Sequence, residues 1–281
     1  MKVAITGSSG LVGSALVESL ARNGHIITRL AHDQPWPPLE GHDAIVNLAG
    51  ENIAGRWTPE KKVRIRESRV VFTRQLAETI TRLAQPPKVL VCASAIGFYG
   101  NRDDEVLRED SAPGDGFLAD VCHDWEAAVR PAAERGIRVV NLRFGVILSA
   151  SGGALAKMLT PFKLGAGGVI GDGRQWMSWI ALDDVTGAIR HALATDSLCG
   201  PVNVVAPNPV TNLEFTNTLG GVLGRPTIFP LPAFAARLAF GEMADVLLLS
   251  SQRVEPMKLV TSGCKLRFPD LEGALRHLLG R

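Results

Sequence analysis

The stretch from Lys2 to Gly13, KVAITGSSGLVG, decides the fold of this 281-residue chain. A short apolar run, Val3–Thr6, leads into three glycines spaced G-x-x-G-x-x-G, and an amphipathic segment, Leu11–Asn23, follows them. Glycine permits a tight strand-to-helix turn, a close approach of the backbone to a pyrophosphate, and close packing of the helix on its strand. Free N–H groups at the start of such a helix meet phosphate charge. The pattern therefore predicts a dinucleotide-binding strand–turn–helix unit.

Further short apolar runs continue this alternation of strand and helix. Most of them are apolar on consecutive residues, which is typical of parallel strands covered by helices on both faces of a sheet. The predicted strands are Val3–Thr6, His25–Leu30, Ala44–Leu48, Val89–Ala93, Val139–Arg143 and Val202–Val205. Amphipathic periodicity predicts helices at Leu11–Asn23, at Thr58 to Leu83 with a kink or break, and at Leu118–Glu134. We therefore expect an α/β fold with a Rossmann-type doubly wound parallel sheet.

The residue composition changes after Phe144, where a glycine-rich stretch begins that also contains Trp176 and Trp179. Loops of this kind often build binding sites. We expect a Rossmann domain over residues 1–150, completed by about 178–206, and a smaller α+β C-terminal substrate lobe formed by residues 151–177 and 207–281.

Composition excludes several classes of protein. The formal net charge is +2, from 30 basic and 28 acidic residues, so no overall positive field exists to attract nucleic acid. No apolar run is long enough for a membrane span, and the N-terminal residues do not resemble a signal peptide. The 4 cysteines are far apart and lack zinc-site spacing, so no metal is expected. We expect a cytoplasmic monomer or homodimer that acts on a small molecule, with neither nucleic acid nor membrane as a partner.

The end of the second predicted strand bears on which dinucleotide is bound. An acidic residue there hydrogen-bonds the adenosine ribose of NAD, whereas a basic residue pairs with the 2′-phosphate of NADP. Asp33 suits NAD, and Arg29 and His32 suit NADP. Arg69, in a basic helical segment, adds a guanidinium suited to phosphate. The sequence favours NADP and leaves NAD open.

Several motifs outside the glycine turn carry a family resemblance. They are NLAGEN at 47–52, Ser94-Ala95, Phe98-Tyr99-Gly100, GALAKM at 153–158 and GDGRQWMSWI at 171–180. With these motifs the chain resembles the extended short-chain dehydrogenase/reductase superfamily, in its NAD(P)-dependent epimerase/dehydratase-like branch, also described as nucleoside-diphosphate-sugar epimerase-like. The resemblance covers essentially the whole chain and includes a C-terminal domain of unknown function that begins near Ile228.

The resemblance implies an NAD(P) site built from the glycine turn and the ends of the following strands. The expected contacts are Gly7, Ser9, Gly10, Leu11, Val12, Gly13, Ala31, His32, Leu48, Ala49, Gly50, Arg69 and Ile147. Relatives usually carry arginine after the second strand, where this chain has His32. NADP remains the preferred cofactor, with NAD as the alternative.

The Tyr-x-x-x-Lys pair of the superfamily is absent from this sequence. In relatives the lysine lowers the pKa of the phenol, which moves the proton that accompanies hydride transfer, and a serine after the fourth strand holds the substrate oxygen. Tyr99 is the single tyrosine, and Asp103 stands four residues later. On the helix expected to carry the pair, Leu118 and Cys122 align with Tyr and Lys. The candidate proton donors and acceptors are Ser94, Tyr99, Glu51, Asp120 and Glu126.

Three functions remain open on these observations. The first is an atypical NAD(P)-dependent oxidoreductase or epimerase acting on a small carbonyl or sugar-nucleotide substrate, and we expect this one. The second is a non-catalytic NADP(H)-binding sensor or regulatory protein, and the third is a protein that holds the cofactor structurally. Arginine suits an anionic substrate and tryptophan a flat or apolar one, although such residues equally form ion pairs or pack a core. The candidate substrate contacts are Arg143, Arg174, Gln175, Trp176 and Trp179.

Overall fold

The computed structural model describes residues 1–31, 36 and 38–281, so the roles predicted for His32 and Asp33 lie outside the described residues. The strands in chain order are β1 Lys2–Thr6, β2 Ile26–Leu30, β3 Ala44–Asn47, β4 Val89–Ala95, β5 Val106–Leu107, β6 Arg138–Phe144, β7 Val146–Leu148, β8 Trp176–Met177, β9 Trp179–Ala181, β10 Gly200–Val204, β11 Val210–Thr211 and β12 Arg253–Val254. The α-helices are α1 Leu11–Arg22, α2 Pro59–Glu67, α3 Val70–Thr81, α4 Phe117–Ala127, α5 Arg130–Glu134, α6 Gly153–Lys163, α7 Leu182–Ala194, α8 Asn212–Leu223, α9 Ala233–Phe240, α10 Met257–Thr261 and α11 Leu271–Leu279.

A parallel sheet organises the N-terminal part of the molecule. Among the described residues it contains six strands in the order β10-β6-β4-β3-β1-β2. The chain passes from β1 to β2 on one side and then to β3 on the other, so the direction of winding reverses at β1. Helices α1 and α7 pack together, as do α3 and α5. The predicted α/β fold with a doubly wound parallel sheet is therefore confirmed.

The first strand shows why the sequence is apolar on consecutive residues. Val3 and Ile5 belong to a buried cluster that includes Leu16 of α1. Ala4, between them, belongs to a different buried cluster with Leu76 of α3. Successive side chains of a strand point to opposite faces, so a strand covered on both faces needs apolar residues at every position.

The break predicted within the helical segment from Thr58 to Leu83 lies at Ser68 and Arg69, between α2 and α3. The Ser68 hydroxyl donates to the carbonyl oxygen of Ile65 at 3.1 Å and accepts from the backbone N–H of Glu51 at 2.9 Å. Serine side chains compete with helical backbone bonds in this way. The break therefore ties the end of α2 to the loop that follows β3.

The C-terminal part has its own buried cluster, in which Trp179, Phe215 and Leu275 are almost completely excluded from solvent. Helix α8 begins with the capping box formed by Thr211 and Glu214. The domain boundaries predicted near residues 150, 178 and 206 stay a prediction. No helix among the described residues is both long and apolar enough to cross a membrane.

Candidate cofactor site and active site

Two adjoining cavities lie at the carboxyl ends of β1, β3 and β4, beside the point where the winding of the sheet reverses. Open α/β sheets bind ligands in this crevice. One cavity has a volume of about 590 Å³ and the other of about 220 Å³. Ala49 and Gly50, just after β3, line both of them. The two cavities thus form one elongated groove, and they are called here the outer cavity and the inner cavity respectively.

The glycine turn after β1 is required by the packing of the chain itself at two of its three positions. Gly7 has a φ of 64°, and a Cβ atom added there would lie 2.6 Å from the carbonyl carbon of Leu48. A Cβ atom on Gly13 would lie 2.1 Å from the carbonyl oxygen of Gly7. A Cβ atom on Gly10 meets nothing closer than 3.3 Å. The packing of the chain therefore requires glycine more strictly at Gly7 and Gly13 than at Gly10.

The N-terminus of α1 has no side-chain cap, whereas the N-termini of α2, α8 and α11 do. Thr58, Thr211 and Asp270 each accept a hydrogen bond from a first-turn N–H of α2, α8 and α11. The N-cap of α1 is Gly10, which provides no side-chain cap, and no acidic residue stands in the first turn. Helix N-termini carry partial positive charge and N–H donors without intrahelical partners. The turn therefore fits the phosphates of a dinucleotide.

Thr6, the last residue of β1, fixes the loop after β3 against the glycine turn. Its hydroxyl donates to the amide oxygen of Asn47 at 2.6 Å. The hydroxyl oxygen of Thr6 accepts from the backbone N–H groups of Leu48 at 3.1 Å and Ala49 at 3.2 Å. All of these groups are buried or half-buried, so satisfied hydrogen bonds hold this edge of the groove rigidly.

The outer cavity contains many of the cofactor contacts expected from the sequence. Arg29 is exposed at the end of β2 beside it, where a basic side chain meets the 2′-phosphate of NADP. The lining residues are Gly7, Ser8, Ser9, Arg29, Leu30, Ala31, Ala49, Gly50, Glu51 and Ser68.

The inner cavity is lined by residues of α1, of the loop after β3, of the break between α2 and α3, of β4 and β6, and of one face of α4. Leu11 and Ile147, although expected to contact the cofactor, are not among its described lining residues. Ile147 packs against the large core cluster instead. The lining residues are Val12, Leu48, Ala49, Gly50, Ile53, Arg69, Ala93, Ser94, Ala95, Leu118, Val121, Cys122, Trp125 and Phe144.

Arg69 brings a guanidinium to the inner cavity. Its Nη1 and Nη2 donate to the carbonyl oxygens of Ile65 at 3.2 Å and Glu51 at 3.0 Å, and it lies 5.2 Å from the ring centroid of Trp125. Burial lowers the pKa of Arg69. Among the described residues Arg69 takes part in no ion pair with a carboxylate. A half-buried cation held by carbonyl oxygens is a suitable partner for a phosphate.

Ser94, near the end of β4, lies in a hydrogen-bonded group with charged side chains. Its hydroxyl donates to Oε1 of Glu126, on α4, at 2.7 Å. Arg143 pairs in register with Ser94 on the neighbouring β6 and binds both carboxylate oxygens of Glu126, at 2.7 and 2.8 Å. The Arg143 and Glu126 side chains are only 4% and 12% exposed. Although burial opposes it, the hydrogen bonds and charge of Glu126 raise the pKa of Arg143.

Tyr99 stands behind this group rather than on the cavity surface. It is fully buried, and its hydroxyl lies 2.7 Å from Oδ1 of Asn203 and 2.9 Å from the carbonyl oxygen of Arg108. The hydroxyl also accepts from Nη1 of Arg143 at 2.9 Å. Burial raises the pKa of Tyr99. The tyrosine therefore supports Arg143 as a neutral phenol, and it is not among the described lining residues of either cavity.

The two helix positions aligned with the missing Tyr-x-x-x-Lys pair, Leu118 and Cys122, line the inner cavity. They lie one turn apart on α4, with Val121 and Trp125 on the same face. Burial raises the pKa of Cys122 to about 12, so its thiol is protonated at neutral pH. The face of α4 that meets the cavity is therefore uncharged.

The residues expected to contact substrate do not line either cavity within the described part of the chain. Trp179 is fully buried in the C-terminal cluster, and the amide of Gln175 donates to the carbonyl oxygens of Ile170 and Leu248 at 3.0 and 2.9 Å. The ring of Trp176 is 4.5 Å from the guanidinium of Arg253. Arg174 is exposed, and Arg143 is committed to Glu126. Trp179 therefore packs in a core and Arg143 forms an ion pair, which are the structural roles that the sequence left open for these residues.

Two features of the site were not predicted from the sequence. The first is the stripe formed by Leu118, Val121, Cys122 and Trp125, whose i, i+3, i+4, i+7 spacing is visible in the sequence. The second is the contact of Glu126 with Ser94, because residues 32 positions apart carry no local signal. The described residues hold no group of His, Cys, Asp and Glu side chains suited to a metal ion.

Comparison with known proteins places this architecture in a family. An epimerase family protein of Mycobacterium bovis is 43% identical over 99% of this chain and 98% of its own length. The crystal structure of human epimerase family protein SDR39U1 with NADPH is 37% identical, with a TM-score of 0.94 over 100% of this chain and 99% of that chain. A nucleoside-diphosphate sugar epimerase from Corynebacterium glutamicum is 40% identical, with a TM-score of 0.83 over 100% of this chain and 58% of that chain.

Family models agree with these relatives. One for a domain of unknown function matches residues 231–278, as expected for the C-terminal part. One described as the NAD dependent epimerase/dehydratase family matches residues 38–205, more than half of the chain. The predicted resemblance is confirmed, and this chain belongs to the NAD dependent epimerase/dehydratase family.

Proposed function

We propose that this protein is an NADP(H)-dependent oxidoreductase in which Ser94 and Glu126 replace the Tyr-x-x-x-Lys pair. The observation that carries the proposal is the 2.7 Å hydrogen bond from the Ser94 hydroxyl to Glu126, at the wall of the inner cavity. The face of α4 that lines the same cavity carries Leu118 and Cys122, and neither side chain exchanges protons at neutral pH. Ser94 is then the hydroxyl best placed to meet a substrate oxygen.

The groove supports NADP(H) as the cofactor through its positive groups. The uncapped start of α1 suits the pyrophosphate. Arg69, which forms no ion pair with a carboxylate among the described residues, suits a second phosphate contact. Arg29 at the outer cavity suits the 2′-phosphate. The human relative crystallised with NADPH supports the same choice. When bound, the cofactor supplies or accepts a hydride.

Ser94 and Glu126 form a route for the accompanying proton. When an alcohol is oxidised, its hydroxyl proton passes to Oγ of Ser94 while the serine proton passes to the carboxylate of Glu126. In carbonyl reduction the same two transfers run backwards, starting from protonated Glu126. Arg143 holds both carboxylate oxygens and keeps Oε1 aimed at Ser94. A side chain positioned in this way contributes about 10²–10⁴-fold to a rate.

The test combines cofactor binding with turnover. NADPH should quench the fluorescence of Trp125 in the wild type and in Ser94→Ala alike, because the serine methylene remains in the cavity wall. Loss of nicotinamide absorbance with a carbonyl panel should occur with the wild type and fall by at least 10²-fold in Ser94→Ala. Equal turnover by the two proteins would remove Ser94 from the reaction.

A second candidate is a non-catalytic NADP(H) sensor. The observation that favours it is the inert face of α4, with leucine and a protonated thiol at the two positions aligned with the Tyr-x-x-x-Lys pair of the short-chain dehydrogenase/reductase superfamily. It predicts tight NADPH binding with no absorbance change across the whole carbonyl panel. The cytoplasmic location and the monomeric or homodimeric state expected from the sequence stay predictions.

A further inference from the structure

The chemical character of the inner cavity bears on which substrate the proposed reaction uses. Apart from Arg69 and Ser94, every described residue that lines it is apolar or, in the case of Cys122, a protonated thiol. If the cofactor phosphates engage Arg69, the Ser94 hydroxyl is the remaining polar side chain of the lining. A substrate in this cavity is thus offered one hydrogen-bonding side chain and an apolar wall.

Four other cations near this wall already have carboxylate partners. On α2, which contributes Ile65 to the cluster around Leu118, Lys61 pairs with Glu51 at 2.6 Å and Lys62 with Glu242 at 2.6 Å. Arg66 pairs with Asp124, and Arg143 with Glu126. An anion buried without a counterion is strongly disfavoured. A substrate diphosphate or carboxylate that used one of these four cations would therefore have to displace its carboxylate.

The C-terminal part of the chain closes the apolar wall. Met243 is buried in one cluster with Trp57, Ile65 and Leu118, and Ile53 packs against this cluster from the cavity side. The thioether of Met243 lies 3.2 Å from the backbone N–H of Gly55. Methionine forms adaptable apolar surfaces. The domain of unknown function thus packs behind the same apolar wall that α4 presents to the cavity.

The volume of the inner cavity, like its apolar lining, favours a small substrate. The inner cavity has a volume of about 220 Å³, and the nicotinamide ring must share it. Pockets for drug-sized ligands span about 300–1,000 Å³. The whole of a nucleoside diphosphate sugar does not fit in this cavity, so its diphosphate would lie outside it, whereas a ring or short chain bearing one carbonyl fits within it.

We propose, building on the function proposed above, that the substrate is a small uncharged ketone or aldehyde with an apolar body, or the corresponding alcohol. Its oxygen meets Ser94, and its body lies against Leu118 and Ile53. The proposal separates this chain from enzymes whose substrates carry a nucleoside diphosphate.

Matched carbonyl pairs that differ by one carboxylate test the proposal on the intact wild-type protein. The pairs are butanone with 4-oxopentanoate, cyclohexanone with 4-oxocyclohexanecarboxylate, and benzaldehyde with 4-carboxybenzaldehyde, each with NADPH; UDP-glucose with NADP⁺ is the sugar-nucleotide probe. We expect kcat/KM for at least one neutral member to exceed that of its charged partner by about 100-fold or more, because burying a carboxylate without a counterion is costly. UDP-glucose should give no turnover.

A charge placed in the wall provides the second arm. At saturating NADPH, Ile53→Lys should lower kcat/KM for the neutral carbonyl by about tenfold or more and narrow the difference in kcat/KM from its charged partner. Leu213→Lys, at an exposed position on α8 away from both cavities, is the matched control and should change neither value.

The outcomes separate the two proposals. Charged members or UDP-glucose turned over as efficiently as neutral carbonyls would overturn the substrate class and leave the oxidoreductase function standing. NADPH binding without turnover of any probe would overturn the proposed function itself, and the substrate class with it. The wild-type panel decides the matter even where Ile53→Lys fails to fold.

Discussion

Replacement of Glu126 by glutamine changes one atom of the carboxylate and removes the proposed proton acceptor. The amide oxygen can still accept from Ser94, but the amide cannot take up a proton and no longer balances the charge of Arg143. Both side chains are almost fully excluded from solvent, with two hydrogen bonds of 2.7 and 2.8 Å between them. Glu126→Gln therefore removes the charge and the proton acceptor while it keeps the size and shape of the side chain.

The magnitudes follow from this geometry. Removing one partner of a buried ion pair costs about 3–5 kcal/mol, and the lower end applies because glutamine keeps one hydrogen bond. For a chain of this length about 3 kcal/mol lowers Tm by roughly 6–12 °C. Loss of the proton acceptor should lower kcat by about 10²–10⁴-fold. The NADPH dissociation constant should stay within about twofold, because Glu126 is not among the residues that line either cavity in the described chain.

Glu109→Gln is the matched control. Glu109 is also buried and accepts from the backbone N–H groups of Asn203 at 3.1 Å and Lys258 at 3.0 Å, but its carboxylate does not contact Ser94. The Glu109→Gln variant should have a lower Tm than the wild type and an unchanged kcat. The assay is steady-state NADPH oxidation at 25 °C with a carbonyl that the wild type reduces, beside thermal unfolding of each variant. A folded, NADPH-binding Glu126→Gln with wild-type kcat would refute the proton route, and so would an equal loss in Glu109→Gln.

Three further predictions probe the parts around this group. Tyr99→Phe should lower Tm, because a buried nitrogen of Arg143 loses a partner, and should reduce kcat by less than about tenfold; a loss of 10³-fold would make Tyr99 the proton donor instead. Gly10→Asp should abolish NADPH binding without unfolding the protein, because the new carboxylate faces the phosphate position, and wild-type affinity in a fluorescence titration would contradict this. Iodoacetamide at pH 8 should modify the exposed Cys199 and spare Cys92 and Cys122, whose pKa burial raises to about 12, as peptide mass spectrometry would show; rapid modification of Cys122 would contradict the buried, protonated thiol.

Local patterns were sufficient to predict the sheet and to select residues that line the outer cavity. The glycine turn at Gly7–Gly13 and the consecutive apolar residues of β1 depend on neighbours in sequence, so their spacing predicts strand, turn and helix directly. Gly7, Ser9, Ala31, Ala49 and Gly50 line the outer cavity as expected, because each follows the end of a parallel strand. The carboxyl ends of parallel strands meet at one edge of a sheet, so residue order is enough to bring them together.

The proton route and the substrate wall needed tertiary structure. Ser94 and Glu126 meet through the packing of α4 on the sheet, and Arg143 joins them through the register of β4 with β6. Met243 reaches the wall from the far end of the chain. Trp179 was a candidate for substrate contact by composition, yet it lies in a core. Residue type indicates what a side chain can do, whereas burial and partners decide whether it is available.

The central claim, hydride chemistry beside Ser94, is tested most directly by following deuterium from the cofactor to the product. NADPH deuterated at C4 of the nicotinamide is incubated with the matched carbonyl panel and with saturating wild-type protein or Ser94→Ala, and the alcohols are analysed by mass spectrometry. The wild type should place deuterium on the carbinol carbon of a neutral carbonyl, and Ser94→Ala, at equal NADPH occupancy, should place at least about 10²-fold less. No deuterated alcohol from any carbonyl with the wild type fully occupied, or equal transfer by the two proteins, would contradict the claim.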